Sequence, residues 1–192
     1  MLSGGGLVAL PTETFYGLAA DAFRPEALER VNALKGKAAD DPLLLLLADL
    51  EQVDQVCDTI PRWFAPLAER FWPGPLTLVV PAADRVPREV TGGRGTVAVR
   101  VSGLALPRRL AGALGRPLTG PSANRTGEPP GRTAGEVAEA LGDGLELILD
   151  GGAALGGAPS TIVDLSLDPP RMLREGLLPA SAFEPFLRLD GL

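Results

Sequence analysis

Two stretches decide the fold: Leu76-Thr-Leu-Val-Val80 and Thr96-Val-Ala-Val-Arg-Val101. Both are short and apolar, and β-branched residues dominate the second. Trp72-Pro73-Gly74-Pro75 precedes the first, and a polar, Gly/Pro-rich loop over 81–95 separates the pair. That punctuation predicts two buried strands. In the second, period-two alternation puts Val97, Val99 and Val101 on one face and Thr96, Ala98 and Arg100 on the other. Arg100 interrupts an apolar strand, so its charge is either paired or turned to a ligand.

The flanking sequence alternates strand and helix signals. Gly6 to Leu10 reads as a buried strand, and Thr12 to Gly17 as a polar loop at its end, where open α/β sheets place ligands. Pro25 to Leu34 reads as a helix: Pro25 and Glu26 suit its first turn, and Gly36 its C-cap. Leu43 to Ala48 predicts a strand, and Arg62 to Phe71 a helix. A helix from Leu106 to Leu114 ends at Gly115, and a short strand from Leu118 runs into Gly-Pro-Ser-Ala-Asn at 120–124. Thr133 and Glu136 form a capping box for a helix to Leu141. Leu145 to Leu149, Ser160 to Leu165 and Arg171 to Arg174 read as strands, and Phe183 to Leu189 as a closing helix. The pattern predicts one α/β domain over 1–192, a twisted mixed sheet with helices packed on it.

Composition narrows the chemistry. The chain carries a formal net charge of −6 and contains no histidine. An acidic chain is a poor free-standing nucleic-acid binder, so phosphate binding should be small and enclosed. Without imidazole there is no Ser-His-Asp or Cys-His nucleophile, no His-ligated zinc and no His general base. The single Cys57 forms no internal disulfide, which agrees with a cytoplasmic setting. Its spacing with Val53, Val56 and Ile60 predicts a core thiol on a helix. No secretory signal is visible, and the apolar run from Leu43 to Ala48 is too short to span a membrane. No dedicated metal site is visible. Carboxylates, Lys, Arg, hydroxyls and backbone N–H groups remain, an inventory that suits phosphoryl or nucleotidyl transfer.

No P-loop or dinucleotide fingerprint is present. Lys35 and Lys37 at a helix exit could clamp a triphosphate, or simply complement the helix C-terminus. Under the first reading Lys35→Ala should abolish turnover and leave melting nearly unchanged, because a helix-end lysine contributes little stability, whereas a large loss of stability with activity retained would mark the second. Ser122 and Asn124 after a strand could be turn residues or ligand contacts. Thr12 and Thr14 could bind a carboxylate or satisfy the backbone.

Seven fragments occur in a fixed order: Pro11-Thr-Glu-Thr-Phe-Tyr-Gly-Leu18, Leu34-Lys-Gly-Lys37, Phe71-Trp-Pro-Gly-Pro-Leu-Thr-Leu78, Val97-Ala-Val-Arg-Val101, Pro121-Ser-Ala-Asn124, Ser160-Thr-Ile-Val-Asp164 and Leu173-Arg-Glu-Gly176. This series, over roughly 4–178, resembles the YrdC-like family of threonylcarbamoyl-AMP synthases. The resemblance implies a YrdC-like fold with a concave basic face. It implies a nucleotidyltransferase that makes threonylcarbamoyl-AMP and pyrophosphate from L-threonine, bicarbonate and ATP, with Mg²⁺ in the substrate complex. The product would pass to tRNA threonylcarbamoyl-transfer proteins, with at most weak RNA contact.

By the same resemblance, Lys35, Lys37, Ser122 and Asn124 match the catalytic, ATP-handling positions. Asp41, Thr96 and Arg174 match further nucleotide contacts, and Thr14, Arg100 and Ser160 match contacts to threonine. Lys37 stands where the family usually has Arg, Asp41 where it often has Asn, and Leu46 where it often has His. A helix that usually precedes the first strand has no counterpart in this sequence. Two other readings fit the residues: a non-catalytic nucleotide- or RNA-binding relative, and a carbamoyl-adenylate-forming domain.

Overall fold

A computed structural model describes residues 1–36, 38, 40–184 and 186. Strands β1 (Val8–Pro11) and β2 (Tyr16–Ala19) form an antiparallel hairpin. Helix α1 (Pro25–Lys35) follows, then β3 (Leu44–Leu47), α2 (Phe64–Phe71) and β4 (Leu76–Pro81). A single turn, α3 (Arg88–Thr91), precedes β5 (Thr96–Val101), α4 (Ala105–Leu114) and β6 (Leu118–Thr119). Helix α5 (Ala134–Leu141) and strands β7 (Leu147–Ile148), β8 (Thr161–Asp164) and β9 (Arg171–Arg174) complete the set.

The fold is mixed α/β, but its ladders divide into two sheets rather than one. Three strands pair in the order β2-β1-β7, and six in the order β6-β3-β5-β4-β8-β9. The sheets meet where β2 passes β6: Thr119 N–H donates to Ala20 O at 2.9 Å and Leu18 N–H to Pro121 O at 2.8 Å. Pairing continues in register past Pro121, which has no N–H to give, through the Gly17–Ser122 bridge to Ala123 N–H, which donates to Tyr16 O at 2.7 Å; β6 itself is two residues long.

The strand parity read from the sequence holds. Leu45, Leu47, Leu76, Leu78, Val80, Val97, Val99, Val101 and Val163 are buried in one core cluster with Leu28 and Val31 of α1 and Leu67 of α2. Thr77, Val79, Thr96, Ala98, Arg100 and Ile162 sit on the opposite face and line a cleft. Replacing one of these core leucines by alanine should cost about 2–5 kcal/mol.

Several boundaries differ from expectation. The Thr12–Gly17 segment is a hairpin turn that re-enters a strand at Tyr16, because Tyr16 and Leu18 are fully buried in a second core cluster. The 81–95 loop contains α3, which ends at Gly92 with φ 60°. Helix spacing around Cys57 is realised only as a 3-10 turn over Glu51–Gln55; Cys57 is buried as expected, but Ile60 is 40% exposed. The strand expected over 145–149 shrinks to two residues. At the C-terminal end a 3-10 turn spans Ala180–Phe183, and most of the expected closing helix lies outside the described residues.

Candidate functional site

The cleft has a volume of about 940 Å³, within the usual range for small-molecule sites. One wall is the polar-parity face of the six-stranded sheet. The other comes from the β1–β2 turn and the 120–130 segment. Lys35, Arg94, Arg100 and Arg174 line it, whereas Asp164 is the single carboxylate among its described lining residues. Four cations and one acid among the described lining residues, in a chain of net charge −6, give a charge balance that favours an anionic ligand.

At one end, the C-terminus of α1 docks on the segment after β6. Lys35, 5% exposed, donates from Nζ to Ser122 O at 2.5 Å, Asn124 O at 2.8 Å and Asn124 Oδ1 at 3.3 Å. Thr126 N–H donates to Lys35 O at 2.8 Å. The Asn124 amide donates in turn to Arg125 O at 2.9 Å and Glu128 O at 2.6 Å. Lys35 is therefore a buried structural cation at the cleft wall and not a solvated helix-end charge. Gly36 caps the helix at φ 60°, as its position predicts.

The other end holds two arginines. Arg100 is 3% exposed; its Nε lies 3.7 Å from Glu13 Oε1, too far for a hydrogen bond. Arg174 donates to Ser160 O from Nε at 3.2 Å and from Nη2 at 2.9 Å. Ser160 Oγ and Thr77 Oγ1 are 2.8 Å apart and share a hydrogen bond. Burial pushes the Arg100 guanidinium down from its ordinary value; Glu13 opposes that shift and the neighbouring Arg174 adds to it. Burial lowers Arg174 as well. An arginine does not give up its proton under these conditions, so the shift at Arg100 expresses chiefly the cost of holding that cation away from water, with a further contribution from the nearby, more exposed Arg174. A bound anion would relieve that cost.

Thr14 meets the cleft from the β1–β2 turn, where its Oγ1 lies 2.9 Å from Thr12 Oγ1, and Thr12 Oγ1 donates to Phe15 O at 2.8 Å. Thr96 lines the cleft at the opposite end of β5 from Arg100. The cleft thus brings together Thr14, Lys35, Thr96, Arg100, Ser122, Asn124, Ser160 and Arg174. Asp41 is not a lining residue, although its neighbour Pro42 is. Lys37 lies outside the described residues. Leu46 has the parity of the cleft face, paired in register with Arg100, but does not line the cleft: it is fully buried beneath Gly120, where an added Cβ would come within 2.5 Å of Leu46 Cγ.

The sequence reading missed Thr77, Arg94 and Asp164, which also line the cleft. Strand alternation would have found Thr77 and Asp164, since each has the parity of its strand's cleft face. Arg94, in the turn after Gly92 and Gly93, carried no local signal. Among the described residues, no group of three His, Cys, Asp or Glu side chains could hold a metal ion. No described helix is long and apolar enough to cross a membrane.

The Sua5/YciO/YrdC family profile, described as telomere recombination, matches residues 1–176. This chain belongs to that family. It is 45% identical to the threonylcarbamoyl-AMP synthase of Pyrococcus abyssi over 180 residues, covering 94% of this chain and 53% of that protein. It is 37% identical to the threonylcarbamoyl-AMP synthase of Vibrio campbellii, covering 91% and 95% of the two chains. In structure it resembles Pyrococcus abyssi Sua5 complexed with L-threonine, with TM-score 0.93 and 44% identity over 96% of this chain and 54% of that one. E. coli YciO follows the same fold with TM-score 0.84 and 26% identity over 97% and 89%. The chain spans about half the length of the first relatives it matches, those of Pyrococcus abyssi and Bacillus subtilis (53% and 51%).

Proposed function

We propose that this chain condenses L-threonine, bicarbonate and ATP into threonylcarbamoyl-adenylate, releasing pyrophosphate as a nucleotidyltransferase. One observation carries the reading: the buried Arg100 and the more exposed Arg174 share a cleft with Lys35, Ser122 and Asn124, so two anionic groups can lie side by side in it. The names of the relatives from Pyrococcus abyssi and Vibrio campbellii support the same reaction.

The chemistry follows from charge. The threonine amine and bicarbonate combine, with loss of water, to form an N-carboxylate, whose oxygen attacks the α-phosphorus of ATP. The bond to the leaving pyrophosphate breaks. Carbamate and triphosphate repel, so the barrier is largely electrostatic and positional. Arg100, Thr14 and Ser160 would hold the amino acid and its carbamate. Arg174 and Thr96 would contact the nucleotide, while Lys35, Ser122 and Asn124 shape the wall along the phosphates. By the resemblance Lys37 would add a further charge for the phosphates, whereas Asp41, which does not line the cleft, would reach the nucleotide only through its bound cation. No step calls for an imidazole.

Mg²⁺ would enter with ATP. Among the described residues the lining offers Asp164 and no ligand cluster, which suits a cation held mainly by phosphate oxygens and water. The product is a reactive mixed anhydride, so proteins that transfer the threonylcarbamoyl group to tRNA would consume it in the cytoplasm. Any RNA contact of this acidic chain would be weak.

The test is to incubate purified protein with ATP, bicarbonate, Mg²⁺ and L-threonine and to measure pyrophosphate. Release that does not depend on threonine would sink the reading. A second reading, nucleotide binding without turnover, draws on Lys35, whose ammonium is engaged by three protein oxygens. Tight ATP binding with no pyrophosphate under the same conditions would favour it. The likeness to HypF, at 17% identity, shows the fold alone.

A further inference from the structure

Arg100 is held from behind. Its Nε and the facing Glu13 Oε1, 3.7 Å apart, are both sealed from solvent, and neither has a hydrogen-bond partner among the described residues. The two terminal nitrogens of Arg100 are not among the sealed, unpartnered atoms, and the side chain donates to no described residue. Those ends therefore open on the cleft that Arg100 lines.

Glu13 is itself fixed. Its Oε2 accepts from Ser102 Oγ and from Gly103 N–H, the latter at 3.1 Å. Ser102 and Gly103 directly follow β5, and Glu13 sits in the β1–β2 turn, so one carboxylate ties the strand end to the hairpin. Glu13 does not line the cleft; whatever it does for a ligand passes through Arg100.

We propose that Glu13 is a positioning residue that orients Arg100, leaving both terminal nitrogens free to form a fork on the carboxylate of an amino-acid substrate. The proposal rests on the threonine-using reaction above. The geometry gives the reason. A bidentate Arg–Glu pair would consume the fork, whereas an approach at Nε alone leaves it unspent. A buried guanidinium without a counter-charge, beside Arg174, would be costly to keep in place. Glu13 supplies the charge from the side away from the cleft, and Ser102 with Gly103 keeps that carboxylate from swinging around to cap the fork.

The test is calorimetric binding of L-threonine and of 1-aminopropan-2-ol, which lacks the carboxylate, to the full chain and to Glu13→Gln. Gln retains an acceptor for Ser102 and Gly103 but removes the charge. Threonine affinity should fall at least about tenfold, as expected when a fork loses its alignment, while the amino alcohol binds as before. Ser102→Ala, which keeps both charges and loosens the anchor, should shift threonine affinity in the same direction by less; it serves if Glu13→Gln does not fold. Equal or tighter threonine binding by both variants overturns the role of Glu13 alone. An equal loss for both ligands would show a merely structural role and overturns it too. A wild-type chain that binds no threonine overturns the proposed reaction, and this inference with it.

Discussion

Lys35 and Asn124, 89 residues apart in sequence, are joined twice: Lys35 Nζ donates to the Asn124 carbonyl at 2.8 Å and to its Oδ1 at 3.3 Å. The pair clamps the end of α1 to the segment that forms one wall of the cleft. The Asn124 amide extends the clamp to Glu128 O. Residues implied to handle ATP are thus also the residues that build the wall.

Lys35→Ala should therefore cost stability as well as turnover. The substitution leaves buried oxygens of Ser122 and Asn124 without their charged donor, worth about 2–3 kcal/mol. For a chain of this length that corresponds to a fall in Tm of roughly 5–10 °C. This replaces the expectation of unchanged melting, which treated Lys35 as a solvated helix-end charge. Calorimetric melting beside a pyrophosphate assay checks it; an unchanged Tm would show that the clamp carries no weight.

Arg100→Lys keeps the positive charge and loses the planar fork. A lysine on β5 offers one point charge to a carboxylate and should raise KM for threonine by about 10- to 100-fold, with KM for ATP changing far less. Arg100→Ala should add a stability loss of about 1–3 kcal/mol, because Glu13 then remains largely buried without its cation. Steady-state kinetics with each substrate varied in turn separates the two effects. A parallel rise in both KM values would argue against an amino-acid end at Arg100.

The helix cap gives a control outside the cleft lining. Thr133 Oγ1 accepts from Glu136 N–H at 3.2 Å, and Glu136 Oε2 accepts from Arg132 N–H at 2.6 Å. Thr133→Ala should lower stability by about 1 kcal/mol and leave kcat and both KM values as they are. Urea unfolding with the same kinetic assay checks both halves.

The legible parts of the fold were those governed by local periodicity. Alternation in β5 placed Arg100 opposite Val99 and so on the cleft face, and Pro25, Gly36 and Thr133 marked helix ends through their own backbone chemistry. What escaped depends on distant partners. Tyr16 joins a strand because Pro11 pairs with it and because Ala123 and Val137 bury it. The meeting of the two sheets depends on the 118–123 segment reaching β2, about a hundred residues earlier in the chain. Lys35 reads as a surface lysine until Asn124 is brought to it. Arg94 reaches the cleft only because the turn at Gly92 packs against Asp40, where an added Cβ would lie 2.2 Å from Asp40 O.

Gly176 offers the sharpest test of the amino-acid end. It follows β9, and its N–H donates to Thr161 Oγ1 at 2.9 Å. A Cβ there would meet Pro159 O at 2.2 Å, Ser160 C at 2.6 Å and Thr161 N at 2.7 Å, all backbone atoms that have no rotamer in which to yield. Gly176→Ala must therefore push the 159–161 segment or pull β9 away from β8. Overpacking of this kind costs about 1–3 kcal/mol. The displaced segment carries Ser160, whose Oγ meets Thr77 and whose carbonyl accepts from Arg174. KM for threonine should rise by roughly tenfold or more while the fold is retained. Threonine saturation curves measured below the variant's Tm check this. A variant that loses stability yet keeps the wild-type KM for threonine would show that Ser160 does not face the amino acid.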